Sequence, residues 1–148
     1  MRLLLALAAA VPLAILAACG SEGEGGEAEF TLTEFEITAD KASLPEGPID
    51  FNINNDGERE HEFVIVRTDI PGDELPTGDD GSFDEDAPGV DVEQEIEDIG
   101  GGDETSRSYT LDPGAYVFLC NIVEDIDGTE TSHFANGMFL DFQVTEDS

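Results

Sequence analysis

The chain has 148 residues, enough for one domain with a proper core and too few for two. It carries 36 Asp and Glu against five Lys and Arg, a formal charge of −31, so nothing is left to neutralise phosphates and nucleic acid is excluded as a partner. An anionic membrane surface would repel such a domain; the charge fits either a surface adapted to high salt or an acidic docking face for a cationic partner, and the spread of acids along the whole chain favours the first.

In chain order, the first eighteen residues stand apart. Arg2 is followed by "LLLALAAAVPLAILAA", an apolar run with the shape of a secretory leader and short for a membrane span. It ends in "LAAC", Leu16 to Cys19, which resembles the bacterial lipobox. That resemblance implies cleavage before Cys19 and a lipid on its thiol, which anchors an exported protein on the periplasmic or cell-surface face. Membrane contact then comes through the lipid alone. Cleavage removes Arg2 and leaves four basic residues against the same 36 acids. Residues 19–28 are Cys19 and a Gly- and Glu-rich tether, and residues 29–148 form the domain.

The domain reads as strands and turns. "EFTLTEFEIT" (29–38) alternates apolar and polar residues with a change of register, which predicts a bulge or kink within one strand. "PIDFNINN" (48–55) alternates Ile49, Phe51 and Ile53 and stops at a turn signal, "NNDG". "HEFVIVRT" (61–68) is a β-branched run. Residues 69–104 hold fifteen acids, no Lys or Arg, and Pro71, Pro76 and Pro88. They predict a long, solvated crossing loop with a short ordered element near 92–99, where "DVEQEIEDIG" (91–100) is at best a short helix or a weak strand. Neither "DDGSFDED" nor "DIDGTE" has the ligand spacing of a calcium loop. "SRSYTL" (106–111) and "AYVFLCN" (115–121) flank the turn "DPG", and "GMFLDFQVT" (137–145) is the last strand. No sustained 3.6-residue period appears. The fold class is all-β: a Greek-key antiparallel β-sandwich with a long acidic crossing loop.

The rarest side chains are not scattered. Once Cys19 is lipidated, the domain has one thiol, Cys120, two imidazoles, His61 and His133, and one thioether, Met138. Three of the four lie within residues 120–138. Two imidazoles and a thiolate in a trigonal plane, with a long axial thioether, suit a blue copper centre. Strand alternation puts Tyr116, Phe118 and Cys120 on one face, so the two aromatics pin the sulfur. His61 opens a strand just after a turn, and His133 and Met138 sit on the loop that leaves Cys120. Taken singly, each of these residues has an ordinary structural reading. Jointly they point to a metal, which also explains why an exported protein keeps an otherwise oxidisable thiol.

The same residues carry a family resemblance. "NNDGEREHEF" resembles the Asn-rich approach to the first histidine in small blue copper proteins of the plastocyanin and azurin type. "LDPGAYVFLC" is similar to their L-x-P-G-x-Y-x-F-x-C strand and "HFANGM" to their H-x4-M element. The resemblance spans residues 29–148 and implies the cupredoxin fold with one type 1 copper held by His61, Cys120, His133 and, axially, Met138. Asn55, Asn121 and Phe134 are the residues expected to support those ligands, Asn121 through a hydrogen bond to the His61 strand. The family's electron port, the edge of its second histidine, falls on His133 with Phe134 beside it. Two departures stand out. Twelve residues, "NIVEDIDGTETS", separate Cys120 from His133, more than in plastocyanin-like chains, and four of them are acids. Glu62 follows His61 where those proteins often have an Asn.

The expected function is a one-electron carrier, a monomer exchanging electrons with membrane-associated redox proteins outside the cytoplasm. An extracytoplasmic copper chaperone or buffer on the same fold is the alternative, although such sites favour surplus exposed Met and His, which this chain lacks. An enzyme is not expected. Multicopper oxidases and nitrite reductases need further histidines, a binuclear copper site needs a second cysteine, and no nucleophile–base pair stands out.

Overall fold

A computed structural model describes residues 23–147. The leader and Cys19, on which the anchor expectation rests, lie outside the described residues. Eleven strands occur among them: β1 (Gly26–Thr33), β2 (Glu36–Ala39), β3 (Ser43–Pro45), β4 (Gly47–Asn55), β5 (His61–Arg67), β6 (Asp91–Ile99), β7 (Glu104–Leu111), β8 (Gly114–Leu119), β9 (Val123–Ile126), β10 (Thr129–Ser132) and β11 (Phe139–Thr145). They form a four-stranded sheet in the order β2-β1-β4-β7 and a five-stranded sheet in the order β3-β11-β8-β5-β6. The β9–β10 hairpin pairs only with itself. Pairing is antiparallel except for β1 with β4 and β3 with β11. The all-β sandwich expected from the sequence is present.

The two sheets close over a phenylalanine cluster. Phe30 stands 5.5 Å from Phe51, 5.0 Å from Phe63 and 5.3 Å from Phe118, ring centre to ring centre. The alternating residues Phe63 and Ile65 of β5, Tyr116 and Phe118 of β8, and Cys120 just beyond it, face this core, as strand periodicity requires. Where β7 crosses to the other sheet at Asp112–Gly114, the Tyr116 hydroxyl donates to the Asp112 carbonyl at 2.9 Å and holds the corner.

The acidic stretch differs from expectation in two ways. Its second part, expected to be at best a short helix or a weak strand, is a nine-residue strand, β6, antiparallel to β5. Its buried residues, Ile96 and Ile99, are three apart, a spacing that disguises a strand. The pairing slips between His61 and Phe63, and Asp98 takes a φ of 58°, so Ile99 returns to the inner face. Its first part is not simply solvated. Leu75 and Phe83, with Phe134, cover the outer faces of Val64, Val66, Val117 and Leu119. The central strands of the larger sheet are therefore buried on both sides, which explains the unbroken apolar run of "FVIV".

Two further differences bear on the site. "EFTLTEFEIT" is a tight hairpin rather than one kinked strand. Thr33 pairs with Glu36, and Phe35 in the turn has a φ of 65°, unfavourable for a bulky residue. Strand β1 starts at Gly26, so residues expected to belong to the tether are in the sheet, with Ala28 buried.

Candidate metal centre

His61 is placed by the loop before it. Asn55, buried at the end of β4, donates through Nδ2 to the Arg59 carbonyl at 2.7 Å and the Ile99 carbonyl at 2.8 Å. Its Oδ1 accepts from the Gly57 amide at 3.0 Å. One side chain thereby closes the "NNDG" turn and ties it to β6, which pairs Ile99 opposite His61.

Cys120 follows the last residue of β8, and its amide donates to the Met138 carbonyl at 3.1 Å. The Met138 amide in turn donates to the His133 carbonyl at 3.1 Å, so the thioether residue is stitched between the other two. A short 3-10 turn, Phe134–Asn136, ends at Gly137 with a φ of 102°, a left-handed conformation that glycine adopts readily and that turns the chain into β11.

These elements bring three donor atoms together. His61 Nδ1 and His133 Nδ1 are 3.1 Å apart, and Cys120 Sγ lies 3.9 Å from the first and 3.4 Å from the second. Donors around one ion at bond lengths of roughly 2.0–2.3 Å stand roughly 3–4 Å from each other. The spacing fits a metal. Both histidines, Cys120 and Met138 are fully buried. His61 Nε2 is buried without a hydrogen-bond partner among the described residues, so this ring takes its orientation from what its Nδ1 faces.

Burial keeps His61 and Cys120 uncharged until a cation arrives. Burial, then the neighbouring His133, holds His61 down to about 4. Burial pushes the Cys120 thiol up to about 11, against the Glu62 amide that points at Sγ from 3.5 Å. A soft thiol with two imidazoles and a nearby thioether is a donor set for copper or zinc, not for a hard cation.

No protein-family model matches the chain, and no curated protein does. Solved structures do. An auracyanin from Roseiflexus castenholzii is 21% identical over 81% of this chain and 96% of its own, with a TM-score of 0.53. Rusticyanin from Thiobacillus ferrooxidans is 15% identical over 80% of this chain and 77% of its own, with a TM-score of 0.53. Auracyanin A from Chloroflexus aurantiacus, described as a "blue" copper protein, is 15% identical over 82% and 99%, with a TM-score of 0.51. The chain has the cupredoxin fold.

Within this fold the supporting residues do not all act as the sequence suggests. Asn55 braces the His61 loop. Asn121 reaches the His61 strand through its backbone, which donates to Glu62 Oε1 at 2.7 Å. Its side chain instead holds the Phe83 amide and carbonyl, at 2.6 and 3.1 Å. The outward histidine edge expected at His133 is absent: the residue is fully buried, and its Nε2 lies 2.8 Å from Glu124 Oε1. Phe134 turns away from that edge into the cluster with Phe83, 6.0 Å away, and Phe139, 5.6 Å away. The His133 edge is covered because the insertion folds as the β9–β10 hairpin and carries Glu124 to the ring, whereas Phe134 packs with the apolar underside of the 69–90 loop.

Three contributors were not singled out from sequence. Glu124 bonds His133 and also accepts from Arg59 at 2.9 Å. Burial raises the Glu124 carboxyl, but the His133 hydrogen bond and the Arg59 charge outweigh it and leave the group below its ordinary range. Phe35 meets the His133 ring edge-on, with centres 5.3 Å apart, which accounts for its strained turn. For Glu124 a faint signal existed: apolar Ile122 and Val123 before an acid suggest a strand rather than a free loop.

Proposed function

We propose that this protein is a one-electron carrier holding one type 1 copper through His61, Cys120, His133 and, axially, Met138. The observation that carries the reading is the buried convergence of two imidazole Nδ1 atoms and one thiol at the end of a cupredoxin sandwich. Bound copper would supply the one-electron couple, with thiolate favouring Cu(II) and a weak axial sulfur favouring Cu(I). The chain's part is to present nearly the same donor geometry to both states. Strand β8, the Asn55-braced loop and the Cys120–Met138–His133 hydrogen bonds hold the donors in place without the ion. Every donor is sealed from bulk water, which suits electron passage and leaves no way in for a substrate.

In this reading "LAAC" lipidates Cys19 and holds the protein at the outer surface of a membrane, where redox proteins of that membrane are its donor and acceptor. Mass spectrometry of the membrane-fraction protein tests the anchor: an N-terminal, lipid-modified Cys19 is expected, and an unmodified thiol would sink it. For the centre, Cu(II) is added to the purified protein, followed by a visible spectrum and a redox titration. An intense thiolate-to-copper band and a reversible one-electron couple are expected, and Cys120→Ser should abolish the band. Persistence of the band in that variant refutes the assignment. A colourless protein that binds Cu(I) and passes it on would instead support a chaperone or buffer.

A further inference from the structure

The insertion between Cys120 and His133 does a specific job at the ring it covers. Glu124 uses both carboxylate oxygens: Oε1 meets His133 Nε2 at 2.8 Å and Oε2 meets Arg59 Nη1 at 2.9 Å. Arg59 lies two residues before His61, so the carboxylate bridges the segments bearing the two imidazoles. Arg59 is itself held, its carbonyl by Asn55 Nδ2 and its amide by Glu34 Oε1 at 3.2 Å. The hairpin base is fixed by the His133 amide, which donates to the Ile122 carbonyl at 2.9 Å. The site thus commits one of four cations in residues 19–148 to this carboxylate.

An ionised carboxylate only accepts hydrogen bonds, so the proton between the two groups belongs to His133 Nε2. That choice leaves His133 Nδ1 bare, the atom 3.1 Å from His61 Nδ1 and 3.4 Å from Cys120 Sγ. Resting on the copper reading above, the geometry points to Glu124 as a positioning residue. Locked by Arg59, it fixes the tautomer and orientation of His133, makes its Nδ1 a stronger donor to the metal, and closes the ring edge to solvent. A carboxylate behind a ligating imidazole raises the basicity of that ligand. A more basic ligand favours the more highly charged oxidation state, so Glu124 lowers the reduction potential of the centre.

The test uses the full chain and three variants, Glu124→Gln, Glu124→Ala and Arg59→Met. In the metal-free protein, nitrogen-15 NMR of the imidazoles reads the tautomer directly. His133 is expected as the Nε2–H form in the wild type and in Glu124→Gln, whose amide oxygen still accepts, and as a mixture in Glu124→Ala. In the copper-loaded proteins the potential should rise in Glu124→Gln and further in Glu124→Ala, and Cu(II) affinity should fall about 10–100-fold in the latter. Arg59→Met, which unlocks the carboxylate but leaves its charge, should loosen the His133 tautomer less than Glu124→Ala does and should not raise the potential. An unchanged tautomer and potential in folded Glu124→Ala would overturn the proposal and leave the pair as a surface ion bridge. Should Glu124→Ala fail to fold, the near-isosteric Glu124→Gln still decides through the potential. A wild type that binds no copper defeats the carrier reading instead, and the tautomer measurement then judges Glu124 alone.

Discussion

His61 and His133, seventy-two residues apart in the chain, meet Nδ1 to Nδ1 at 3.1 Å inside a fully buried site. Two imidazole nitrogens at that separation share one proton or one cation. In the metal-free protein the Nε2–H tautomer of His133 that Glu124 is proposed to fix would leave His61 Nδ1–H as the donor to His133 Nδ1. A metal held by both Nδ1 atoms would take that proton's place, and the neutral His61 would then carry its proton at Nε2, the buried atom without a partner among the described residues.

Loading therefore draws its released proton from the thiol. Cys120 is pushed up to about 11 by burial and is a thiol at neutral pH, while His61 is held down to about 4 and is already neutral. Copper(II) binding at pH 7 should release about one proton per ion, all of it from Cys120. Calorimetry in two buffers of different ionisation enthalpy measures the number. A release near two would mean that an imidazolium is also being discharged, contrary to the burial of His61.

Metal-free stability should depend on His61 in acid. Its folded value, about 4, lies below the ordinary 6.5, so between those values the unfolded chain binds more protons than the folded one. The stabilisation is present above about pH 6.5 and is lost as pH falls through about 4. Urea unfolding of the metal-free protein across this window should show a steep loss in the wild type and a shallower one in His61→Gln, whose amide does not titrate. Equal slopes would show that the carboxylates alone set the acid limit.

Asn55→Ala should be costly out of proportion to its size. It removes three hydrogen bonds at one buried side chain and leaves the Ile99 carbonyl, opposite His61, short of a donor. A loss of about 1–3 kcal/mol is expected for a buried polar group left unsatisfied. Because the same bonds aim His61, copper affinity should fall in the variant even under conditions where it is fully folded. An equilibrium competition with a chelator reads the second effect separately from denaturant unfolding.

The strands and donor residues were legible because their signals are local. Alternation in "PIDFNINN" and "AYVFLC" and the turn residues of "NNDG" and "DPG" mark the sandwich, and the rarity of Cys, His and Met together with the motifs around them brings His61, Cys120, His133 and Met138 forward as candidates. What stayed hidden depended on partners distant in sequence. Strand β6 was masked by the bulge at Asp98, since a spacing of three between Ile96 and Ile99 has no strand meaning until β5 lies beside it. The apolar underside of the 69–90 loop needs the outer face of β5 and β8 to be recognised as core. Glu124 acquires a role only when the hairpin folds back on His133, and nothing in "NIVEDIDGTETS" states that contact.

The acidic surface makes the last prediction. Apart from His133 with Glu124, the ion pairs among the described residues are Lys41 with Asp40, Arg59 with Glu124 and Arg67 with Asp112, against a formal charge of −31. On the β6 side, burial and then the charges of Glu85 and Glu97 raise Glu95. Half-buried Glu62 is raised first by burial and further by Glu95, Glu85 and Glu97. Like charges crowded in this way destabilise the folded state and are screened by salt. Raising NaCl from about 0.1 M to about 1 M shortens the screening length from about 10 Å to about 3 Å, so the thermal midpoint should climb over that range. The triple variant Glu85→Gln, Glu95→Gln, Glu97→Gln should be more stable at low salt and show a smaller climb. A midpoint indifferent to salt in the wild type would mean that the acids are too well solvated to repel, and that their density serves a contact with a cationic partner rather than tolerance of brine.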